Sequence, residues 1–267
     1  MTEENPPEEV SLIGGRSTVS TRGGVVYRQA APWSSTTIAL LRHLEREGFE
    51  YAPRVVGTGF DDQGRETLTY VEGESPHPFP WGDEALPLLG QILRKLHVAA
   101  STFVPPQEAV WRPWYGRNIG HPSVIGHCDT GAWNIIVRDG LPVALIDWEE
   151  AGPTDPLVEL AQACWLNGLL FDDDLAETLG LGSVEQRGRQ IGALLDGYEL
   201  PRSDRAGFVD LVSNFALLSA ANETIEAKVT PETTEATALW AITWRTRSAA
   251  WIVRHREVLD RLVISGR

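Results

Sequence analysis

Two cysteines, Cys128 and Cys164, are all that the 267 residues contain. They form no C-x-x-C pair, so neither a disulfide scaffold nor a zinc site is indicated. MTEENPPEEV lacks the apolar h-region of a secretory signal, and a cytoplasmic location is therefore expected. No apolar run approaches the roughly 18 uninterrupted residues of a membrane span, since even ALWAITWRTRSAAWIV carries two Arg near its middle. Positive charge is scarce too. Lys and Arg number 23 against 37 Asp and Glu, a net charge of −14, with pI ≈ 4.9. That balance argues against nucleic acid or a membrane surface as partner. It suits a cationic small molecule, although acidity that confers solubility, or reflects an acidic or salt-adapted proteome, accounts for it equally. The 42% hydrophobic content can bury one large domain or two modest lobes. The sequence carries no signal of oligomeric state.

Residues 1–10 are rich in Pro and Glu and read as a disordered tail. β-compatible pieces follow at 17–21 and 25–28, punctuated by Gly14-Gly15 and Gly23-Gly24. Gly14-Gly15 reads as a plain turn, or as a place where backbone approaches a phosphate. Ile38, Leu41 and Leu44 step by three over residues 34–47, with Ser34 or Ser35 as N-cap and Gly48 as stop, which predicts an amphipathic helix. Strands at 53–57 and 66–71 flank the hairpin loop Asp61-Asp62-Gln63-Gly64. Residues 72–78 are linker-like, and beyond them the period turns helical: 85–99, 155–166, 184–198, 205–225 and 232–262. The expectation is an α+β fold in two lobes. Residues 11–73 would form a small antiparallel sheet with one packed helix and bind nucleotide. Residues 74–267 would form a larger, mostly helical catalytic and substrate-binding lobe.

The richest stretch is VIGHCDTGAWNIIVRDGLPVALIDWE, residues 124–149. It sets His127, Asp129 and Asn134 at H-x-D-x-x-x-x-N spacing and delivers Asp147 at the end of an apolar run. Phosphoryl transfer needs a carboxylate to orient and deprotonate the acceptor hydroxyl, and hard oxygen ligands for Mg²⁺. Asp129 suits the first need, and Asn134 with Asp147 the second. Asp139-Gly140 between two β-branched runs is a hairpin signal. Antiparallel pairing would return Asn134 and Asp147 to the same end.

On HCDTGAWN, on LIDWEEAGPTDPLVELA and more loosely on LTYVEGE, the chain resembles the aminoglycoside phosphotransferase-like (phosphotransferase enzyme) family, relatives of the protein kinases. The resemblance runs from about residue 12 to about 163. It implies a bilobal protein-kinase-like fold, ATP or GTP as phosphoryl donor, Mg²⁺, and a small-molecule hydroxyl as acceptor. Carried across, Asp129 is the catalytic base, Asn134 and Asp147 are the metal ligands, and His127 braces the loop. Arg28, Tyr70 and Val71 fall at nucleotide-binding positions.

Two departures stand out. Kinase-like folds place a Lys on the third strand and pair it with a Glu on the following helix, whereas this chain has Arg28 in VVYRQ and Ser35-Thr36-Thr37-Ile38 where that Glu belongs. Both departures favour a second reading, a nucleotide- or ligand-binding pseudokinase without turnover. A third keeps the enzyme with an amino alcohol, sugar, homoserine-like compound or macrolide as acceptor. His97 reads as a packing residue and Asp155 as a helix cap. Trp111, Trp114 and Tyr115 read as core or as a pocket wall. Glu149, Glu150, Asp172, Asp173, Asp174, Glu223 and Glu226 read as surface charges.

Overall fold

A computed structural model describes residues 9–12, 19–78 and 80–265. Gly14-Gly15 and the first eight residues of the tail lie outside the described residues. The tail expected to be disordered over 1–10 is corrected at its described end. Glu9 accepts a hydrogen bond from Arg65 Nη1 at 2.8 Å, and Val10 opens the first strand of a sheet.

Five strands, β1 (Val10–Leu12), β2 (Val19–Arg22), β3 (Val25–Gln29), β4 (Val55–Phe60) and β5 (Arg65–Thr69), form an antiparallel sheet in the order β1-β2-β3-β5-β4. Gly23 and Gly24, both at positive φ, make the tight turn between β2 and β3, as two-residue hairpin loops require. The turn into β5 is held by Asp61, whose Oδ1 accepts from Gln63 N and Arg65 N. The strand expected over 53–57 runs on to Phe60, with Gly57 and Gly59 at positive φ taking up its irregularity.

Helix α1 (Ser34–Arg46) buries Ile38, Leu40, Leu41 and Leu44 against β4 and the next helix, α2 (Ala85–Ala100). Its N-cap is Trp33 and not Ser34 or Ser35. The Ser34 hydroxyl accepts from Ala31 N at 2.8 Å and donates to Glu66, so it is engaged across the sheet. Gly48, at φ 77°, ends the helix as expected.

Past the sheet the chain is stitched to a second hairpin, β7 (Ile135–Arg138) with β8 (Leu141–Leu145). Glu74 and Val137 exchange backbone bonds at 3.0 and 2.8 Å, and Leu145 N donates to Tyr51 O at 2.8 Å. A short pair, β6 (Val124–Gly126) with β9 (Gly152–Thr154), brackets that hairpin. The remainder is helical: α3 (Pro156–Asn167), α4 (Asp173–Thr178), α5 (Val184–Gly197), α6 (Phe208–Glu226), α7 (Ala236–Arg254) and α8 (Arg256–Ser265). Helices α2 and α5 meet where neither bears a side chain. A Cβ on Gly90 would lie 2.0 Å from Leu194 O, and one on Gly197 2.0 Å from Pro87 O, so both positions demand glycine. The helix expected over 232–262 is two, because His255 leaves helical geometry (φ −103°, ψ 11°). Among the described residues, no helix is long and apolar enough to cross a membrane.

Candidate active site

The hairpin forms as its turn signal predicts. Asp139 and Gly140 both sit at positive φ, 52° and 76°. Ile135 pairs with Leu145, and Ile146 N donates to Asn134 O at 2.9 Å. Asn134 at the hairpin's entry and Asp147 just past its exit thus stand at one end. Asp147 adopts a left-handed conformation (φ 60°, ψ 66°), which Asp tolerates better than most residues.

The loop before the hairpin is fixed from beneath by α3. Cys128 is buried at φ 66°, a conformation that costs a non-glycine residue about 1–3 kcal/mol and persists only when its surroundings dictate it. Glu159 supplies that constraint by accepting Cys128 N on Oε1 at 2.7 Å. Gln162 Oε1 accepts from Thr130 N and Oγ1 at 3.1 and 3.2 Å, and Asn167 Nδ2 donates to Thr130 O at 2.7 Å. Glu159 is fully buried and its Oε2 meets His97 Nε2. Burial alone would raise its proton affinity, but the His97 and Cys128 bonds outweigh that and hold the carboxyl below its usual range. His97 Nδ1 meets the Tyr198 hydroxyl at 2.7 Å. Gly126 leaves room for this carboxylate, since a Cβ there would stand 2.4 Å from Glu159 Oε2.

His127 is fully buried, edge-on to Trp148 with ring centroids 4.7 Å apart. Its Nδ1 accepts from Asp129 N at 3.3 Å, so Nε2 carries the proton donated to Ile146 O at 2.9 Å. Burial pushes its pKa down, which favours this neutral ring. The ring ties the loop to Ile146, the residue before Asp147.

Asn134 Nδ2 donates to Asp129 O at 3.0 Å and to Asp129 Oδ2 at 2.6 Å, leaving the amide oxygen as its hard ligand atom. Burial, followed by repulsion from the Asp147 carboxylate, raises the Asp129 pKa to about 6 despite the Asn134 bond. Asp129, Asn134 and Asp147 line a cleft of about 830 Å³, together with Arg28, Tyr70 and Val71. Arg28 reaches from β3 to Asp147 and to Glu66. The structure thus brings all the expected residues except His127 to one cavity, and His127 sits behind it.

The cleft's lining is mixed. Val19, Val26, Leu68, Ile136 and Ile146 make up an apolar part of the lining, while Trp114, Tyr115, Trp165 and Trp244 with Glu149, Glu150, Glu223 and Glu226 make up an aromatic and acidic part. Trp114 and Tyr115 are both core and wall, packing on Phe215, and Trp111 packs on Phe103. Reading the acids as surface charges is corrected for Glu149, Glu150 and Glu223, which the fold turns inward. Asp172, Asp173 and Asp174 do lie outside the cleft, paired with Arg247 and Arg254. Asp155 caps α3, its Oδ1 accepting Leu157 N at 2.8 Å. Burial first, then the Asp129 and Glu149 charges, push Glu150 up to about 7 although Arg112 opposes them. Its Oε2 is buried without a hydrogen-bond partner among the described residues.

Sequence reasoning missed Glu66, Glu159, Gln162 and Asn167. The last three carried one readable signal, polar residues recurring on an otherwise apolar helix, LVELAQACWLN.

Residues 105–195 match the profile of the phosphotransferase enzyme family, a span that includes Asp129, Asn134 and Asp147 but not Arg28, Tyr70 or Val71. The trifolitoxin immunity protein of Rhizobium leguminosarum bv. trifolii is 59% identical over 255 residues, 95% of this chain and 98% of that protein. Among solved structures, an amicoumacin kinase in complex with AMP-PNP, Ca²⁺ and Ami aligns with TM-score 0.68 at 12% identity, over 96% of this chain and 89% of that one. A choline/ethanolamine kinase family protein from Mesorhizobium loti aligns with TM-score 0.59 at 17% identity, over 97% and 94%. The expected α+β, protein-kinase-like fold is therefore the one observed.

Proposed function

We propose, since this chain belongs to the phosphotransferase enzyme family, that it moves the γ-phosphoryl group of ATP or GTP to a hydroxyl of a small cationic toxin. The cluster of Asp129, Asn134 and Asp147 on the floor of one cleft carries this reading. The name of the 59% identical relative supports a toxin as acceptor and self-protection as the outcome.

Asp129 takes the proton of the acceptor hydroxyl as the new oxygen–phosphorus bond forms and the bond to the nucleoside diphosphate breaks. A carboxylate whose pKa is raised is better matched to a proton acceptor than a free one. His127 and Glu159 keep that carboxylate on a rigid loop. The donor set at Asn134 and Asp147 fits Mg²⁺, which is usually held by one or two protein oxygens plus substrate phosphates rather than by an all-protein cage. No cluster of three His, Cys, Asp or Glu able to cage a metal occurs among the described residues. When bound, such a cation supplies charge neutralisation across the phosphate oxygens. Tyr70, Val71 and the apolar part of the lining offer a slot for a flat base. The aromatic and acidic part suits a cationic acceptor.

The test is to incubate the protein with ATP or GTP, Mg²⁺ and trifolitoxin, then an amino-alcohol series, and read each acceptor by mass spectrometry. Addition of one phosphoryl group is the expected result. Protection against the toxin with an acceptor of unchanged mass would replace this reading with sequestration by a non-catalytic binder.

Glu150 adds a pH signature. Below about 7 its carboxyl is neutral and offers a cationic acceptor no charge. The acceptor KM should therefore rise as pH falls through that value, by up to about tenfold per unit, and level off above it. Glu150→Gln should hold KM high and nearly flat with pH. A wild-type KM that does not move between pH 6 and 8 would remove Glu150 from the acceptor site.

A further inference from the structure

We propose that Glu66 on β5, anchored by Ser34 of α1, is the positioning residue that holds Arg28 toward the phosphate end of the cleft. The sheet would then supply the ion pair that protein kinases draw from their first helix. The inference rests on the phosphotransferase reading above.

Arg28 and Glu66 are direct cross-strand partners in the β3–β5 register. Arg28 Nε and Nη2 both donate to Glu66 Oε2, at 3.0 and 2.8 Å, and the Ser34 hydroxyl donates to Oε1. Glu66 is 2% exposed. A carboxylate so buried is tolerated only when its oxygens are paired and hydrogen-bonded, and here both are. One edge of the guanidinium is consumed by this pairing. The other nitrogen, Nη1, turns into the cleft toward Asp147 and lies 3.8 Å from Glu149.

Neither a lysine nor an acid in the first turn of α1 takes these roles among the described residues. The chain has two lysines. Lys95 lies over the Tyr51 ring at 5.1 Å, Lys228 is exposed beyond α6, and neither lines the cleft. The first turn of α1 carries no acidic residue. A lysine at position 28 could not replace the arginine, because one ammonium cannot grip Glu66 with one edge and address the cleft with a separate nitrogen. The arrangement also differs in what controls it. Where the glutamate rides on a helix, moving that helix breaks the pair and switches a kinase off. Here both partners are hydrogen-bonded neighbours in one sheet, so the anchor is assembled whenever the sheet is folded, and α1 contributes only a hydroxyl.

A double-mutant cycle tests this by isothermal titration of AMP-PNP or GMP-PNP with Mg²⁺. Glu66→Gln, which keeps shape and removes charge, should weaken binding roughly tenfold in the wild-type background. It should have no further effect once Arg28→Ala is present, because Glu66 acts through Arg28. Arg28→Lys should recover only part of the affinity that Arg28→Ala loses. Equal losses from Glu66→Gln in both backgrounds would mark a merely structural residue and overturn the inference. So would unchanged affinity in Glu66→Gln alone. If Glu66→Gln loses its cooperative melt, Ser34→Ala takes its place. A loss of a few-fold confined to the Arg28 background supports the inference, and a loss independent of Arg28 overturns it. A wild-type protein that binds neither nucleotide overturns the phosphotransferase reading itself, and this inference with it.

Discussion

Asp129→Asn is expected to cut acceptor phosphorylation by about 10²–10⁴-fold, the usual contribution of a positioned base, and to leave nucleotide affinity nearly unchanged. The separation follows from geometry. Asp129 stands half-buried on the loop ahead of the hairpin, where desolvation and the Asp147 charge raise its proton affinity, and in the proposed reaction it touches only the acceptor's hydroxyl. Asparagine fills the same space and still offers an oxygen to Asn134 Nδ2, so the loop held by Glu159, Gln162 and Asn167 has no reason to shift. What asparagine cannot do is take a proton. Single-turnover transfer measured beside calorimetric titration of nucleotide resolves the two effects. Wild-type turnover in Asp129→Asn would remove Asp129 from its role, and a parallel loss of nucleotide binding would assign it to the nucleotide instead.

How much of this was legible in the sequence differs from element to element, and the reason is range. The hairpin at Asp139-Gly140 needs only local backbone preference and alternating β-branched residues, so the meeting of Asn134 and Asp147 could be read from 14 consecutive residues, 134–147. Helix α1 was equally legible, because an apolar step of three needs no knowledge of what it packs against. Its cap was not, since Ser34 spends its hydroxyl on a carboxylate 32 residues away. Glu66 was invisible for the same reason. In RETLT it is one acid among many, and only the β3–β5 register sets it against Arg28. The inward turn of Glu149 and Glu150 likewise depends on Arg112, which arrives from a segment with no regular pattern. Composition counted these acids as surface, as most acids are, and tertiary packing placed them in the cleft.

Asp147→Asn is expected to remove the metal-dependent part of nucleotide binding and to lower phosphoryl transfer by at least about 10²-fold, the scale of several kcal/mol of charge stabilisation. Asparagine is the right probe because the residue sits at φ 60°, where Asn is tolerated as well as Asp, so backbone and volume persist while the charge goes. A hard divalent cation depends on that charge. Without metal, two effects of the substitution both favour nucleotide. The carboxylate no longer repels incoming phosphates, and Arg28 Nη1 loses a competing partner. Nucleotide affinity measured in EDTA should therefore hold or improve in Asp147→Asn, while affinity in Mg²⁺ falls toward the EDTA value. Titrations of the wild type and the variant with and without Mg²⁺ give all four numbers. If the wild type binds nucleotide equally in both conditions, Asn134 and Asp147 are not metal ligands. The ion pair of Arg28 with Asp147 would then belong to a protein that binds without turning over.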